Sequence, residues 1–135
     1  MHITGACHCG AIRYEADVEP NQVNVCHCSD CQQLTGTAFR ISVAATLGSF
    51  RLLAGAPRVY LKTADSGRVR EQAFCENCGS PIYATSPGPE PRLYNIRVGT
   101  INERQQLRPE RQIWSRSRLS WLREISEAPS VETTS

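Results

Sequence analysis

The sequence has few aromatic residues, a single lysine and no long apolar segment. Aromatic side chains make up 7% of the 135 residues and apolar residues 40%, which is slightly below the usual level for globular proteins. No stretch approaches the ~20 apolar residues that span a bilayer, so we expect no membrane-spanning helix. The length fits one domain, and its hydrophobic core is expected to be thin.

The charge is nearly balanced, with 15 basic and 13 acidic residues and a formal net charge of +2. This balance argues against a nucleic-acid partner. Residues 1–7 lack the basic start and apolar run of a secretory signal, so we expect a cytoplasmic protein. Stable disulfides are rare in that reducing compartment, and an odd number of cysteines cannot all be paired.

Seven cysteines are the most informative feature of the sequence, and they fall into three groups. A C-x-C pair and a C-x-C-x-x-C triple are separated by 16 residues, and a C-x-x-C pair follows 43 residues later. The groups are Cys7 and Cys9; Cys26, Cys28 and Cys31; and Cys75 and Cys78. Zinc prefers four tetrahedral ligands, and thiolates are natural partners for it, so the spacing predicts zinc binding.

The count of cysteines suggests two different sites. The two pairs would complete a structural site with four thiolate ligands, and the triple would hold a second zinc ion with one position open for chemistry. Gly10 and Gly79 follow the two pairs directly, which is typical of similar tight turns around each pair. That likeness favours joining Cys7 and Cys9 with Cys75 and Cys78.

Other ligand sets remain possible from the sequence alone. Cys26 and Cys28 could instead combine with Cys75 and Cys78. His8 and His27 each lie between two cysteines and could complete a site, although in a strand they would point away from their neighbours. The interpretation we favour is that both histidines are surface or hydrogen-bonded residues outside the ligand sets.

The rest of the chain is typical of short strands separated by turns, which predicts an all-β domain. Alternating or β-branched segments predict strands over 11–16, 39–43, 50–53, 59–63, 68–74, 81–85 and 92–98. A short helix is expected over 30–34, ended by Gly36. We expect the domain to cover 1–125 and a disordered tail to cover 126–135, where Ser, Thr, Glu and Pro dominate.

Arginine outnumbers lysine 14 to 1, and six arginines lie between residues 104 and 123 together with two tryptophans. Guanidinium groups bind carboxylates bidentately, so this segment could recognise an acidic ligand. We favour a solvated surface, because Glu103, Glu110 and Glu124 dilute the patch.

Taken together, the cysteine segments resemble the glutathione-dependent formaldehyde-activating enzyme family, which includes centromere protein V. The resemblance runs from about residue 3 to Trp121, with all seven cysteines in register. Its motifs are Gly5-Ala6-Cys7-His8-Cys9-Gly10, Cys26-His27-Cys28-Ser29-Asp30-Cys31, Thr35-Gly36-Thr37-Ala38-Phe39, Phe74-Cys75-Glu76-Asn77-Cys78-Gly79-Ser80-Pro81 and Val98-Gly99-Thr100-Ile101.

The resemblance implies several coiled β-sheets stapled by zinc, in a fold like that of the methionine-R-sulfoxide reductases. It implies a structural zinc at Cys7, Cys9, Cys75 and Cys78, and a catalytic zinc at Cys26, Cys28 and Cys31. The implied activity is that of a carbon–sulfur lyase, which forms or cleaves S-hydroxymethylglutathione from glutathione and formaldehyde. The partners would therefore be a small thiol and an aldehyde.

The chain departs from the family pattern at two places. Gln32 stands where members often carry a basic residue, and Gln112-Ile113 stands where they tend to have histidine. Two rival functions remain as hypotheses. In the first, both zincs are structural and the domain is a non-enzymatic binding module; in the second, one zinc is absent and a free cysteine performs thiol redox chemistry.

Overall fold

The computed structural model describes residues 1–134 and confirms the predicted all-β class. Within these residues, one α-helix, α1, covers Ser29–Thr35, and four short 3-10 helices cover Val98–Thr100, Arg104–Gln106, Ser115–Ser117 and Leu122–Glu127. The strands are β1 (His2–Ala6), β2 (Arg13–Cys26), β3 (Arg40–Ala45), β4 (Arg51–Ala54), β5 (Arg58–Thr63), β6 (Val69–Phe74), β7 (Pro81–Thr85), β8 (Asn95–Arg97) and β9 (Arg111–Ile113).

The long strand β2 joins all of these strands into one sheet. The order along the sheet is β1-β2-β3-β8-β7-β6-β5, and β4 and β9 also pair with β2. The first half of β2 pairs with β1 and β4. Its second half pairs with antiparallel β3 and parallel β9, after a register shift between Val18 and Val23. The predicted sheets are therefore continuous with one another through β2.

Most predicted elements occur close to their expected positions. Helix α1 begins after Cys28 and ends at Gly36, whose left-handed φ of 68° lets its N–H donate to the carbonyl of Gln32 at 2.9 Å. The strand predicted over 92–98 is shorter than expected and forms only β8. Its predicted start is irregular because the Arg92 side chain hydrogen-bonds Glu90 and Glu71, and its predicted end is the start of a 3-10 helix.

An aromatic cluster at the centre of the core offsets the low aromatic content of the chain. The Phe50 ring lies 5.4 Å from Tyr14, 5.2 Å from Tyr83 and 4.5 Å from Tyr94, measured between centroids. Such pairs stabilise beyond the area that they bury. Tyr14 is fully buried, and its hydroxyl hydrogen-bonds Thr100 at 2.7 Å.

The C-terminal region is less regular than the sheet. The last 3-10 helix crosses the expected domain boundary at residue 125, and residues 128–134 contain neither helix nor strand. The boundary and the disordered tail therefore stay predictions, and Ser135 lies outside the described residues. No helix in residues 1–134 is long and apolar enough to cross a membrane.

Gly5 is expected to be essential for packing, because a Cβ built on it would lie 2.2 Å from the buried Tyr14 ring. The substitution Gly5→Ala should lower the free energy of unfolding by about 2 kcal/mol through overpacking. Gly99→Ala is the matched control, since nothing lies within 4 Å of a Cβ at that position. Urea unfolding of both variants checks this, and equal stabilities would contradict it.

Candidate metal centres and the adjoining groove

Four cysteines meet where two similar turns face each other. Cys7 follows β1, and its carbonyl accepts from the N–H of Gly10 at 3.1 Å. Cys75 follows β6, and its carbonyl accepts from the N–H of Gly79 at 2.7 Å. Both glycines have a left-handed φ, of 82° and 81° respectively. The backbone N–H of His8 donates to Ser80 Oγ at 3.1 Å and links the two turns.

The sulfur positions of this group suit a tetrahedral ion. Sγ of Cys7 lies 3.6 Å from Sγ of Cys9, which lies 3.8 Å from Sγ of Cys75. A tetrahedron with metal–sulfur bonds of ~2.3 Å has sulfur–sulfur edges of about 3.8 Å. All four sulfurs, with that of Cys78, lie within 4.8 Å of one another, and all seven cysteines are free of disulfides. The donor set therefore fits zinc.

The second group contains three sulfurs at the junction of β2 and α1. Cys26 ends β2, Cys28 is the N-cap residue of α1, and Cys31 lies in its first turn. The Sγ of Cys28 accepts from the N–H of Cys31 at 3.3 Å. The three sulfurs lie within 4.8 Å of one another, and all three residues are half-buried. This group could also hold a metal ion, with one ligand fewer from the chain.

Neither candidate histidine joins these two groups in the part of the chain that the structure describes. His8 is exposed at the turn. His27 is 1% exposed and points away from the triple, with its ring edge-on to Phe39 at 5.8 Å. Its Nε2 hydrogen-bonds Gln112 Oε1 at 2.7 Å. His27 thus supports the segment that carries the triple from behind.

The two departures from the family pattern meet at this same histidine. Gln32 Nε2 donates to the carbonyl of His27 at 2.8 Å and to the carbonyl of Ser117 at 3.1 Å. The N–H of His27 donates to the carbonyl of Ile113 in β9 at 3.1 Å. Gln32 and Gln112 therefore tie the C-terminal segment to the segment between Cys26 and Cys31.

The thiols of the triple have unequal acidities. The neighbouring Cys31 thiol lowers the pKa of Cys26 to about 5, and Arg40 favours the Cys26 thiolate further. The same contact raises the pKa of Cys31 above its ordinary value, and burial adds to that increase. In the four-cysteine group, the hydroxyl of Ser80 lowers the pKa of Cys78 to about 5. Each group therefore contains a thiol ready to ionise near neutral pH.

The triple lies at one end of a groove of about 280 Å³ on one face of the sheet. Alternate residues of a strand share a face, so β2, β3, β6 and β8 each present two polar side chains to this groove. The register places Cys26 opposite Arg40, Ser42 opposite Arg97 and Lys62 opposite Arg70. We call this surface the basic groove; its basic residues are Arg40, Lys62, Arg70 and Arg97.

Two guanidinium groups of the basic groove are buried and share one acceptor. Arg40 and Arg97 are 8% and 9% exposed, and both donate to Gln72 Oε1, at 3.0 and 2.6 Å. Arg97 also donates to Ser42 Oγ at 2.8 Å. Burial lowers the pKa of Arg97 to about 9, with a further contribution from Arg40. The guanidinium therefore remains protonated at neutral pH, and both groups are cationic.

The arginines considered from the sequence are elsewhere. Those between residues 104 and 123 are exposed, except for the half-buried Arg118, so the solvated-surface interpretation is confirmed. The functional arginines that sequence reasoning missed are Arg40, Arg70 and Arg97. Their common property in the sequence is an even spacing from Ser42, Gln72 and Asn95 in the predicted strands, which puts polar residues on one face.

The fold and the two sulfur groups define an all-β protein with two cysteine clusters that could hold metal ions. The family model described as "Glutathione-dependent formaldehyde-activating enzyme" matches residues 2–117, and the chain belongs to this family. The chain is 27% identical over 116 residues to a Halomonas elongata protein named "Putative glutathione-dependent formaldehyde-activating enzyme", with 82% of this chain and 73% of that protein covered.

A solved structure supports the fold. The crystal structure of a Rhodobacter sphaeroides protein superposes with a TM-score of 0.59 at 24% identity. The match covers 81% of this chain and 98% of that one.

The unequal acidities predict selective alkylation of the metal-free protein. At pH 7 Cys26 is above its pKa of about 5 and Cys31 is well below its raised pKa, so iodoacetamide should label Cys26 first. The labelling rate of Cys26 should fall only as the pH drops through about 5. Peptide mass mapping at several pH values checks this, and equal labelling of Cys26 and Cys31 at pH 7 would contradict it.

Proposed function

We propose that this protein is a zinc-dependent carbon–sulfur lyase that joins a small thiol to an aldehyde, or cleaves their adduct. The thiol would be glutathione or a relative of it, and the aldehyde formaldehyde or a relative. One observation carries the proposal: a group of three half-buried sulfurs opens into a groove, whereas the group of four is closed by the core. Family membership supports the same chemistry.

We assign different roles to the two sulfur groups. Cys7 and Cys75 are 4% and 2% exposed and pack in the hydrophobic core, which favours a structural zinc held by Cys7, Cys9, Cys75 and Cys78. Cys26, Cys28 and Cys31 line the basic groove together. Three protein ligands leave room for a substrate atom, which favours a catalytic zinc at the triple. The proposed content is two zinc ions per chain.

The reaction is balanced without an external oxidant. The thiol sulfur forms a bond to the carbonyl carbon, the C=O π electrons move to the oxygen, and the thiol proton is replaced by one on that oxygen. A zinc ion with three thiolate ligands supplies the acidity that turns a thiol into a thiolate at neutral pH. Cleavage is the same sequence of bond changes in reverse.

The chain's own residues would position the substrate and hold the site in shape. His27, Gln32 and Gln112 fix the segment that carries the three cysteines against β9. Trp114 lies beside Cys28 at the groove and adopts a left-handed φ of 55°, which is unusual for a residue with a Cβ. The side chain of Trp114 would therefore form a fixed wall that limits the access of water.

The division of roles predicts that two cysteine substitutions have different effects. Cys28→Ser should remove about one zinc per chain and leave a folded protein, because serine can also cap α1. Cys75→Ser should lower the free energy of unfolding by roughly 3 kcal/mol or more, since structural zinc binding contributes directly to folding. Metal analysis and urea unfolding check this, with Ser29→Ala as a control. Equal, mild effects would contradict it.

The activity itself can be measured by NMR. Zinc-loaded protein should accelerate exchange between free formaldehyde and its glutathione adduct, and Cys28→Ser should return the exchange to the uncatalysed rate. Magnetisation transfer between the two formaldehyde pools gives that rate directly. No acceleration by the zinc-loaded protein with glutathione or with a smaller thiol would refute the lyase and favour the non-enzymatic module.

A further inference from the structure

Positive charge in the basic groove is not matched by acidic residues. Among the residues that line it, Arg40, Lys62, Arg70 and Arg97 are basic and none is acidic. Asp30 pairs with Lys62 at 2.9 Å from the edge of the groove and neutralises that one cation. The three arginines form no ion pair with any carboxylate in residues 1–134.

The buried guanidinium groups have unused hydrogen-bond donors. Each guanidinium carries five N–H groups. The pair formed by Arg40 and Arg97 uses only three, on Gln72 and Ser42. Nε of Arg40 is buried and has no partner among the described residues. A buried, unpaired cation and an unsatisfied donor are both costly, so an anion that reaches these groups would be bound favourably.

The metal site alone does not balance this charge. Three thiolates and a divalent ion at the triple sum to −1, and the three arginines sum to +3, which leaves +2. A substrate thiolate contributes −1 and reduces the excess to +1. One further negative charge on the same substrate makes the groove neutral. A carboxylate matches the planar fork of an arginine better than other common anions of that charge.

We propose that the basic groove is a carboxylate-binding site and that the substrate thiol carries a carboxylate. This inference rests on the proposed function only in placing the thiol at the triple. Arg97 and Arg40 would bind the carboxylate near the cysteines, and Arg70 would bind it toward the open end, where its own contact is Ser86 Oγ at 2.8 Å. Gln72 holds the two buried guanidinium groups in place for this.

The first test compares two thiols of the same size. Calorimetric titration of the zinc-loaded protein with 3-sulfanylpropanoate and with its neutral amide, 3-sulfanylpropanamide, should show at least tenfold tighter binding of the acid. Salt at 0.15 M suppresses unspecific attraction between the charged ligand and the surface. Equal affinities of wild-type protein for the two thiols would overturn the proposal, and this comparison needs no variant to fold.

Variants locate the preference in the groove. Arg70→Gln should reduce the ratio of the two affinities severalfold and leave binding of the amide unchanged, because Arg70 is only half-buried and holds no carboxylate. Arg97→Lys keeps the charge but removes the fork, and should also reduce the ratio. Arg58→Gln is the control, since it removes one exposed positive charge that pairs with Glu76 outside the groove. A loss as large in Arg58→Gln as in Arg70→Gln would overturn the proposal.

Two sources of the carboxylate can be separated in the same experiment. Tighter binding of glutathione than of its glycine ethyl ester would support a groove that takes the carboxylate of the tripeptide. Tight binding of 3-sulfanylpropanoate with no binding of glutathione would support a small acid. A preference for the acid without formation of an aldehyde adduct supports the site and refutes the reaction. Adduct formation with equal binding of acid and amide overturns the site and leaves the reaction intact.

Discussion

The packing of two cysteines into the hydrophobic core is the constraint on which the rest of the structure depends. Cys7 and Cys75 are nearly fully buried and belong to the same cluster as Ile3, Tyr14 and Ile82. They bring the end of β1 to the end of β6, two strands far apart in the sheet order. A chain with few aromatic residues thereby gains a fixed crosslink point without a disulfide, and the sheet closes around it.

Alternation along the strands then gives the sheet two chemically different faces. One face carries the valine, isoleucine and tyrosine side chains of the core, and the other carries paired polar residues of β2, β3, β6 and β8. The same alternation puts Cys26 on the polar face and His27 on the buried one. A single geometric rule thus separates the reactive sulfurs from the residues that hold them.

Local patterns predicted much of this architecture. The limits of α1 followed from Gly36, and β7 coincides with its predicted range because a turn bounds each end. The cysteine count anticipated which thiols would come together. The second half of β2 was missed because Pro20 and Asn21 look like the end of a strand, whereas the chain continues after a register shift. Strand β9 was missed because three residues show no periodicity, and only its pairing with Asn24–Cys26 defines it. The Arg40–Gln72–Arg97 contacts depend on three strands distant in sequence, which no local pattern reveals.

The two sulfur groups differ in how much of the chain must be synthesised before each is complete. The triple lies within six consecutive residues, so it is available to a metal soon after the first quarter of the chain leaves the ribosome. The group of four joins Cys9 to Cys75 across 66 residues and closes only after Cys78 has emerged. Loop closure over that length carries an entropic cost that the local triple avoids. Metal loading during translation would therefore start at the reactive site, and the ion that shapes the core would arrive second.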